Sequence, residues 1–182
     1  PDQEWKLGDE YRIEPSHLQI FWAPADGTLP AGPILSDIAA TSADDDANPE
    51  WSPVAFGSGK ELIALSTNRV DGNFDIFVIE TNGVLPSGAN LTSGSTFDNL
   101  AEHPTWAPDG SQIATSTYLD DGINILDVKT GKTLARLKYS RQHLLTHFAW
   151  TPDGKRVVVA AGREVVVHDS QSGEQLATCR GH

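Results

Sequence analysis

Oxygen-bearing side chains alternate along one short stretch of the chain, Asp71-Gly72-Asn73-Phe74-Asp75. Hard cations such as Ca²⁺ bind several oxygens at close range, so Asp71, Asn73 and Asp75 form a candidate calcium site. The stretch lacks the remaining ligands of a calcium-binding loop. We therefore favour the alternative, a hairpin turn whose polar side chains bond to backbone amides. The sequence predicts no cofactor, with Ca²⁺ as the one candidate.

The histidines and the single cysteine are the other candidates for chemistry. His143 and His147 have the i, i+4 spacing of metal ligands on a helix, but they lead into a predicted strand, where this spacing does not converge. His103 precedes a comparable strand, and we expect all three to be structural. The chain has no Gly-x-Ser-x-Gly elbow, and Cys179 is expected to be a buried small apolar residue. The sequence therefore predicts no catalytic residues and no enzyme.

Composition narrows the classes of partner. Asp and Glu number 25 against 13 Lys and Arg, which gives a formal net charge of −12. This charge disfavours nucleic acid and favours a basic partner or simple solubility. A single cysteine excludes an internal disulfide, and no apolar run approaches the roughly 20 residues of a membrane span. The chain contains no Met, so we expect a processed product or a piece of a longer protein.

One phrase built around tryptophan occurs three times, at Trp51, Trp106 and Trp150. The last two copies continue as Pro-Asp-Gly, whereas the first reads Trp-Ser-Pro-Val-Ala. Residues 20–32 match residues 76–88, and residues 127–135 match residues 169–177. Self-similarity of this kind indicates one supersecondary unit that has been copied and stacked. The sequence predicts four units, the first without its opening part.

Each unit is predicted to contain four short strands bounded by turn residues. The first strand carries the tryptophan, and Pro-Asp-Gly and Asn-Gly or Thr-Gly supply hairpin turns. Apolar residues at helical spacing are absent nearly everywhere, with at best a turn or two over residues 94–102. The other strands are predicted at 61–67, 112–117 and 156–160, then at 74–80, 123–128 and 164–168, and most weakly at 133–137 and 175–179.

These motifs carry a family resemblance. The Trp-x-Pro-Asp-Gly phrase, with the segment 66–79 that follows the second strand of its unit, resembles the repeat of TolB-like β-propellers. The last unit, with His168-Asp169 where a Trp-Asp pair is typical, is similar to a WD-repeat blade. The resemblance implies an all-β, partial β-propeller of about three and a half four-stranded antiparallel blades. Large aromatics at the three tryptophan positions are then expected to be wedged between neighbouring blades.

The resemblance also divides the chain. Residues 1–15 are predicted to be an N-terminal extension and residues 16–182 the propeller. Within it we expect a partial blade at 16–47 and whole blades at 48–102, 103–145 and 146–182. An open arc would leave apolar blade faces in water. We therefore expect a protein partner or a second copy of the chain to complete the ring.

Blade topology predicts which loops share a rim. The loops that join the fourth strand to the next first strand, and the second strand to the third, lie on one side of a propeller. That side would collect His143, His147 and a set of carboxylates, which we interpret as a candidate binding rim for a basic protein or Ca²⁺. Solvated turn carboxylates are the alternative. The rim comprises Asp44, Asp45, Asp46, Asp71, Asp98, Glu102, Asp120 and Asp121.

The function implied by the resemblance is a non-catalytic propeller platform for protein–protein interaction or complex assembly. Two enzymes are alternatives: the propeller portion of a prolyl-oligopeptidase-like hydrolase, and a metal-dependent sugar lyase that needs converging histidines. TolB-like relatives favour a periplasmic or otherwise exported protein. The WD-like features of the last unit favour the cytoplasm instead.

Overall fold

The computed structural model describes residues 46–54, 62–70, 72–80, 88–92, 101–117, 122–139 and 145–181. These residues form β-strands, and no helix occurs among them. The strands in chain order are β1 (Asp46–Trp51), β2 (Leu62–Thr67), β3 (Asp75–Glu80), β4 (Ala101–Trp106), β5 (Gln112–Thr117), β6 (Gly122–Asp127), β7 (Thr133–Lys138), β8 (Leu145–Trp150), β9 (Arg156–Ala161), β10 (Glu164–Asp169) and β11 (Gln175–Arg180). No helix in this part of the chain is long and apolar enough to span a membrane.

The strands form three separate antiparallel sheets in which each strand pairs with its neighbours in sequence. The first sheet contains β1 to β3, the second β4 to β7 and the third β8 to β11. In the first sheet the segment 88–92 runs beside β3, where Val78 N donates to the Ala89 carbonyl and Leu91 N to the Ile76 carbonyl, both at 2.8 Å. The predicted all-β fold is confirmed, and three successive meanders are consistent with blades of a partial β-propeller.

The predicted strands and the observed strands agree closely. The eight strands predicted at the second, third and fourth positions of the described units begin and end within one residue of their predicted positions. The helical turn considered for residues 94–102 is wrong at its end, because Ala101 and Glu102 begin β4. Residues 94–100, the predicted extension 1–15 and most of the partial blade 16–47 lie outside the described residues.

Carboxylates cap the turns that end the strands. Asp169 Oδ1 accepts bonds from the Ser172 backbone N at 2.8 Å and from Ser172 Oγ at 3.0 Å. Asp127, the equivalent residue of the second sheet, accepts from Thr130 in the same way. These hydrogen bonds hold the pKa of both carboxyl groups below their usual value. Local side-chain bonds of this kind fix the loop between the third and fourth strands of the second and third sheets.

The sheets are stacked, so each has a forward face toward the following sheet and a back face toward the preceding one. Between the first and second sheets, Ala64, Ile76 and Val78 pack in one buried cluster with Trp106 and Ile113. Between the second and third sheets lies a second cluster, formed by Ala114, Ile123, Ile125, Ala135 and Leu137 from one side and Phe148, Val157 and Val159 from the other. Burial of these faces is the main favourable contribution to the arc.

The turns also pack against the preceding sheet. Gly173 has a φ of +73°, and a Cβ placed on it would lie 2.6 Å from the Arg136 carbonyl oxygen on β7. Gly131, its equivalent, has a φ of +67°, and a Cβ there would lie 3.0 Å from the Leu91 carbonyl oxygen. Glycine is needed at both positions for its conformation and for its lack of a side chain.

His168 is buried in the third sheet at the position that Leu126 holds in the second. The residue is 1% exposed, Nδ1 lies 3.3 Å from the Gly173 carbonyl oxygen, and Nε2 has no hydrogen-bond partner among the described residues. Burial lowers the pKa of His168 below its ordinary value of 6.5, with the bond to Gly173 opposing this. The folded protein therefore holds a neutral imidazole in its core.

His168→Leu is expected to remove part of the acid sensitivity of the fold. Because the unfolded chain protonates His168 at a higher pH than the folded chain, stability is fully present above 6.5 and falls below it, by up to about 1.4 kcal/mol per pH unit. Urea unfolding at pH 7.5 and pH 5.5 measures this loss in both proteins. An equal loss of stability in the His168→Leu protein would show that other groups dominate the acid response.

Candidate binding site at the inner strands

The first strands of the three sheets lie side by side and form one open pocket of about 480 Å³. Its lining is three equivalent triplets, each directly before a repeated tryptophan: residues 48–50, 103–105 and 147–149. Asn48, His103 and His147 occupy the same place in the three triplets. Apolar Pro49, Pro104 and Phe148 follow them. The repeat therefore brings residues from equivalent positions of the three units together in one pocket.

Irregular backbone accompanies the pocket in each strand. The pairing register shifts between Ala47 and Glu50 in β1, between Glu102 and Thr105 in β4, and between Leu145 and His147 in β8. Asn48 and His103 have φ values of 52° and 53°, which few residues other than glycine adopt. Bulges redirect side chains and are over-represented next to functional sites. Here they lie at the lining of the pocket.

Glu50 joins two sheets at this site. Its Oε1 accepts a bond from Thr105 Oγ1 at 3.0 Å and a longer one from the Trp106 backbone N at 3.4 Å. Burial raises the pKa of the Glu50 carboxyl, against the hydrogen bonds from Thr105 and Trp106 and the electrostatic interaction with His147. The pocket thus contains a half-buried carboxylate that is costly to keep charged without a partner.

The tryptophans fix the spacing of the inner strands. Trp106 Nε1 donates to the Glu50 carbonyl oxygen at 3.0 Å, and Trp150 Nε1 donates to the Thr105 carbonyl oxygen at 3.1 Å. In both cases the acceptor is the residue before the tryptophan of the preceding sheet. Each indole therefore links one sheet to the last, and this contact recurs with the repeat.

The prediction that all three tryptophans are core residues is only partly right. Trp106 is 4% exposed and Trp150 packs partly buried against the second cluster, but Trp51 is 49% exposed. The burial of Trp106 and Trp150 comes from the preceding sheet. No sheet precedes β1 in the described part of the chain, so Trp51 lacks this contact there.

Most of the predicted acidic rim lies outside the described residues, namely Asp44, Asp45, Asp71, Asp98, Asp120 and Asp121. Asp46 begins β1, and Glu102 lies on β4 with Oε2 3.8 Å from Nε2 of the exposed His103. Glu102 is therefore next to the pocket lining. The binding rim as a whole stays a prediction.

The candidate calcium ligands are placed in part. Asp75 Oδ2 accepts from Asn90 Nδ2 at 2.7 Å, and its Oδ1 accepts from Thr92 Oγ1. Asn73 lies in the turn before β3, and Asp71 is outside the described residues. Asp75 therefore ties the segment 88–92 to β3. Within the described ranges no group of three or more His, Cys, Asp or Glu side chains is placed to hold a metal, and the calcium site stays a prediction.

The remaining candidates are His143, His147, His103 and Cys179. His143 is outside the described residues, whereas His103 and His147 are exposed and reach the pocket from different sheets. The prediction that Cys179 is buried is wrong, because it is exposed on β11, the outer strand of the third sheet. Sequence reasoning missed Asn48 and Glu50, although aligning the repeats on tryptophan would have placed them in the same columns as His103 and Thr105.

The opposite rim provides a comparison. The Pro-Asp-Gly turns of the second and third sheets border a space of about 610 Å³ there. Asp109 and Asp153 are exposed in these turns. Asp109 accepts hydrogen bonds from the backbone N and the hydroxyl of Ser111. Asp153 accepts them from the Thr151 hydroxyl and the Lys155 backbone N. These bonds lower the pKa of both carboxyl groups. These carboxylates bond within their own turns, whereas the Glu50 carboxylate bonds to the neighbouring sheet.

Comparison with known proteins gives two distant matches, both to WD-repeat proteins. No protein-family model matches the chain. It is 26% identical over 152 residues to the WD repeat and SOCS box-containing protein 1 of Danio rerio, and equally so to that of Xenopus tropicalis. The match covers 80% of this chain and 34% of each relative, about a third of their length. These distant matches support a WD-repeat-like family at most.

Proposed function

We propose that this chain is a non-catalytic protein-interaction module that binds its partner at the inner-strand pocket. The observation that carries the proposal is that three successive sheets deliver equivalent residues, Asn48, His103 and His147, to one open pocket. A pocket assembled from several repeats suits a platform that recognises a protein segment. The similarity to WD-repeat proteins supports a binding function, and the two enzyme alternatives have no supporting observation among the described residues.

The chemistry of the pocket favours a basic segment. Among the described residues, both hydrogen bonds to the Glu50 carboxylate end on Oε1, so Oε2 keeps its capacity to accept a bond from a ligand. A Lys or Arg side chain would form a charge-assisted bond there and offset the cost of burying the carboxylate. The net charge of −12 attracts such a segment over a longer range. We also propose that the propeller is of the TolB-like type and that the protein is periplasmic or otherwise exported.

Peptide selection on the full chain tests this function. A phage-displayed peptide library is expected to yield binders that contain Lys or Arg. Their affinity, measured by fluorescence anisotropy, is expected to fall about tenfold, or about 1.4 kcal/mol, when Glu50→Gln removes the charge but keeps the acceptor for Thr105. Asp153→Asn on the opposite rim is the matched control, since it removes an exposed carboxylate far from the pocket lining.

Two results would contradict the proposal. The first is a set of selected peptides without basic residues. The second is equal binding by Glu50→Gln and the unmodified chain, with Asp153→Asn reducing the affinity instead. Either result would move the binding site away from the inner strands.

A further inference from the structure

Two of the three equivalent positions in the inner-strand pocket carry an imidazole. Asn48, His103 and His147 hold the same place in successive sheets, and all three line the pocket. His103 and His147 are both exposed. Imidazole is the side-chain group that gains a proton, and with it a positive charge, between about pH 8 and pH 5. The repeat therefore places two groups whose charge depends on pH where a ligand would lie.

Two carboxylates accompany these imidazoles. Glu102 Oε2 lies 3.8 Å from His103 Nε2, and Glu50 lines the same pocket and interacts electrostatically with His147. Glu50 is carried by β1, Glu102 and His103 by β4, and His147 by β8. With both imidazoles neutral, the carboxylates give this site two negative charges. With both imidazoles protonated, two positive charges offset them.

The described strands that pair with the inner strands add no charge beside the pocket. β2 and β5 contain no charged residue, and Arg156 begins β9 at the opposite end, next to the Pro-Asp-Gly turn. Arg69, which follows β2, lies over the Phe77 ring, 5.4 Å from its centroid. Asp46 begins β1 and is a further acidic residue. Among the described residues, the charged groups at the pocket are therefore carboxylates and the two imidazoles, without Lys or Arg.

We propose that His103 and His147 make the inner-strand pocket a pH-dependent binding site, which holds a basic segment near pH 7.5 and releases it near pH 5.5. This inference rests on the proposed function and adds regulation to the same site. Protonation of the imidazoles cancels the negative charge of the neighbouring carboxylates. It also places positive charge where the Lys or Arg of the ligand would lie, so attraction gives way to repulsion.

Asn48 shows which substitution removes the charge and suits the backbone. Its φ of 52° is almost the same as the 53° of His103, and asparagine adopts positive φ values more readily than most residues. His103→Asn and His147→Asn therefore give both positions the neutral residue that the first sheet already uses. His168→Leu is the matched control, because it removes a histidine from the core of the third sheet and leaves the pocket intact.

Fluorescence anisotropy on the full chain tests the proposal. The probe is a Lys- or Arg-containing peptide from the display selection, acetylated at its N-terminus and made without Asp, Glu or His, so its own charge is constant between pH 7.5 and pH 5.5. Its affinity for the unmodified chain is expected to fall about tenfold over this interval, or about 1.4 kcal/mol. The double variant His103→Asn/His147→Asn is expected to change less than about threefold, whereas His168→Leu shows the full fall. Circular dichroism at both pH values verifies that each protein is folded.

An equal fall for the double variant and the unmodified chain would overturn the proposal, since protonation of Glu50 or of a group elsewhere would then explain it. So would an affinity of the unmodified chain that is the same at both pH values while Glu50→Gln still weakens binding at pH 7.5. Failure of the proposed function gives a different result. The peptide would then not bind at pH 7.5, or Glu50→Gln would leave its affinity there unchanged, and both proposals would be wrong.

Discussion

Trp106→Ala is expected to lower the free energy of unfolding by about 3–5 kcal/mol, a large part of the roughly 5–15 kcal/mol of an ordinary domain. Trp106 is 4% exposed in the cluster between the first and second sheets. The substitution would leave a cavity between the sheets and remove the indole bond to the Glu50 carbonyl oxygen. Urea unfolding followed by circular dichroism measures the loss.

The repeat offers matched controls for this prediction. Trp51→Ala changes the equivalent residue of the first sheet, which is 49% exposed, and is expected to cost under about 1 kcal/mol. Trp106→Phe keeps most of the buried area but loses the indole donor, so its cost should lie between the two. Similar losses for Trp51→Ala and Trp106→Ala would contradict the packing described for the sheets.

Gly173→Ala is expected to destabilise the fold by about 3 kcal/mol, through two separate causes. The φ of +73° strains any residue with a side chain, and the new Cβ would meet the Arg136 carbonyl oxygen at 2.6 Å. Because backbone cannot move aside like a flexible side chain, the third sheet would have to shift away from the second. Calorimetric melting of the variant measures the effect.

Gly88→Ala separates the two causes. Gly88 has a φ of +78°, but a Cβ placed there meets nothing within 4 Å, so only the strain of about 1 kcal/mol should appear. Gly131→Ala, with a contact at 3.0 Å, should fall between Gly88→Ala and Gly173→Ala. Equal effects at the three positions would mean that close packing of the turns contributes nothing to stability.

Local chemistry explains why the strands were predictable and the pocket was not. Turn residues such as Gly131 and Gly173 mark strand ends in the sequence itself, so the strand bounds agree to within one residue. The bulges at Asn48 and His103 leave only a weak local signal, because asparagine and histidine adopt positive φ values more often than most residues but do not mark a bulge by themselves. Only the pairing with β2 and β5 forces their positive φ values.

Side-chain exposure could be predicted from the repeat only where every copy of the residue packs against a neighbouring sheet. Equivalent positions in the sequence, such as Trp51 and Trp106, have different surroundings because they have different neighbours. Cys179 is exposed for the same reason, although Leu137 at its place in the second sheet is fully buried. The repeat therefore determines which face of the sheet a side chain lies on. The position of the sheet in the stack determines whether another sheet buries that side chain.

The unequal cover of the three sheets also ranks their resistance to local opening. In a one-dimensional stack, stability is the sum of an intrinsic contribution from each unit and a coupling between nearest neighbours. Among the described residues, the second sheet is coupled on both faces, whereas the third is coupled through its back face. Opening should thus begin at β11, whose side chains are all exposed, and proceed inward. The third sheet is therefore expected to unfold from β11 before the second sheet unfolds.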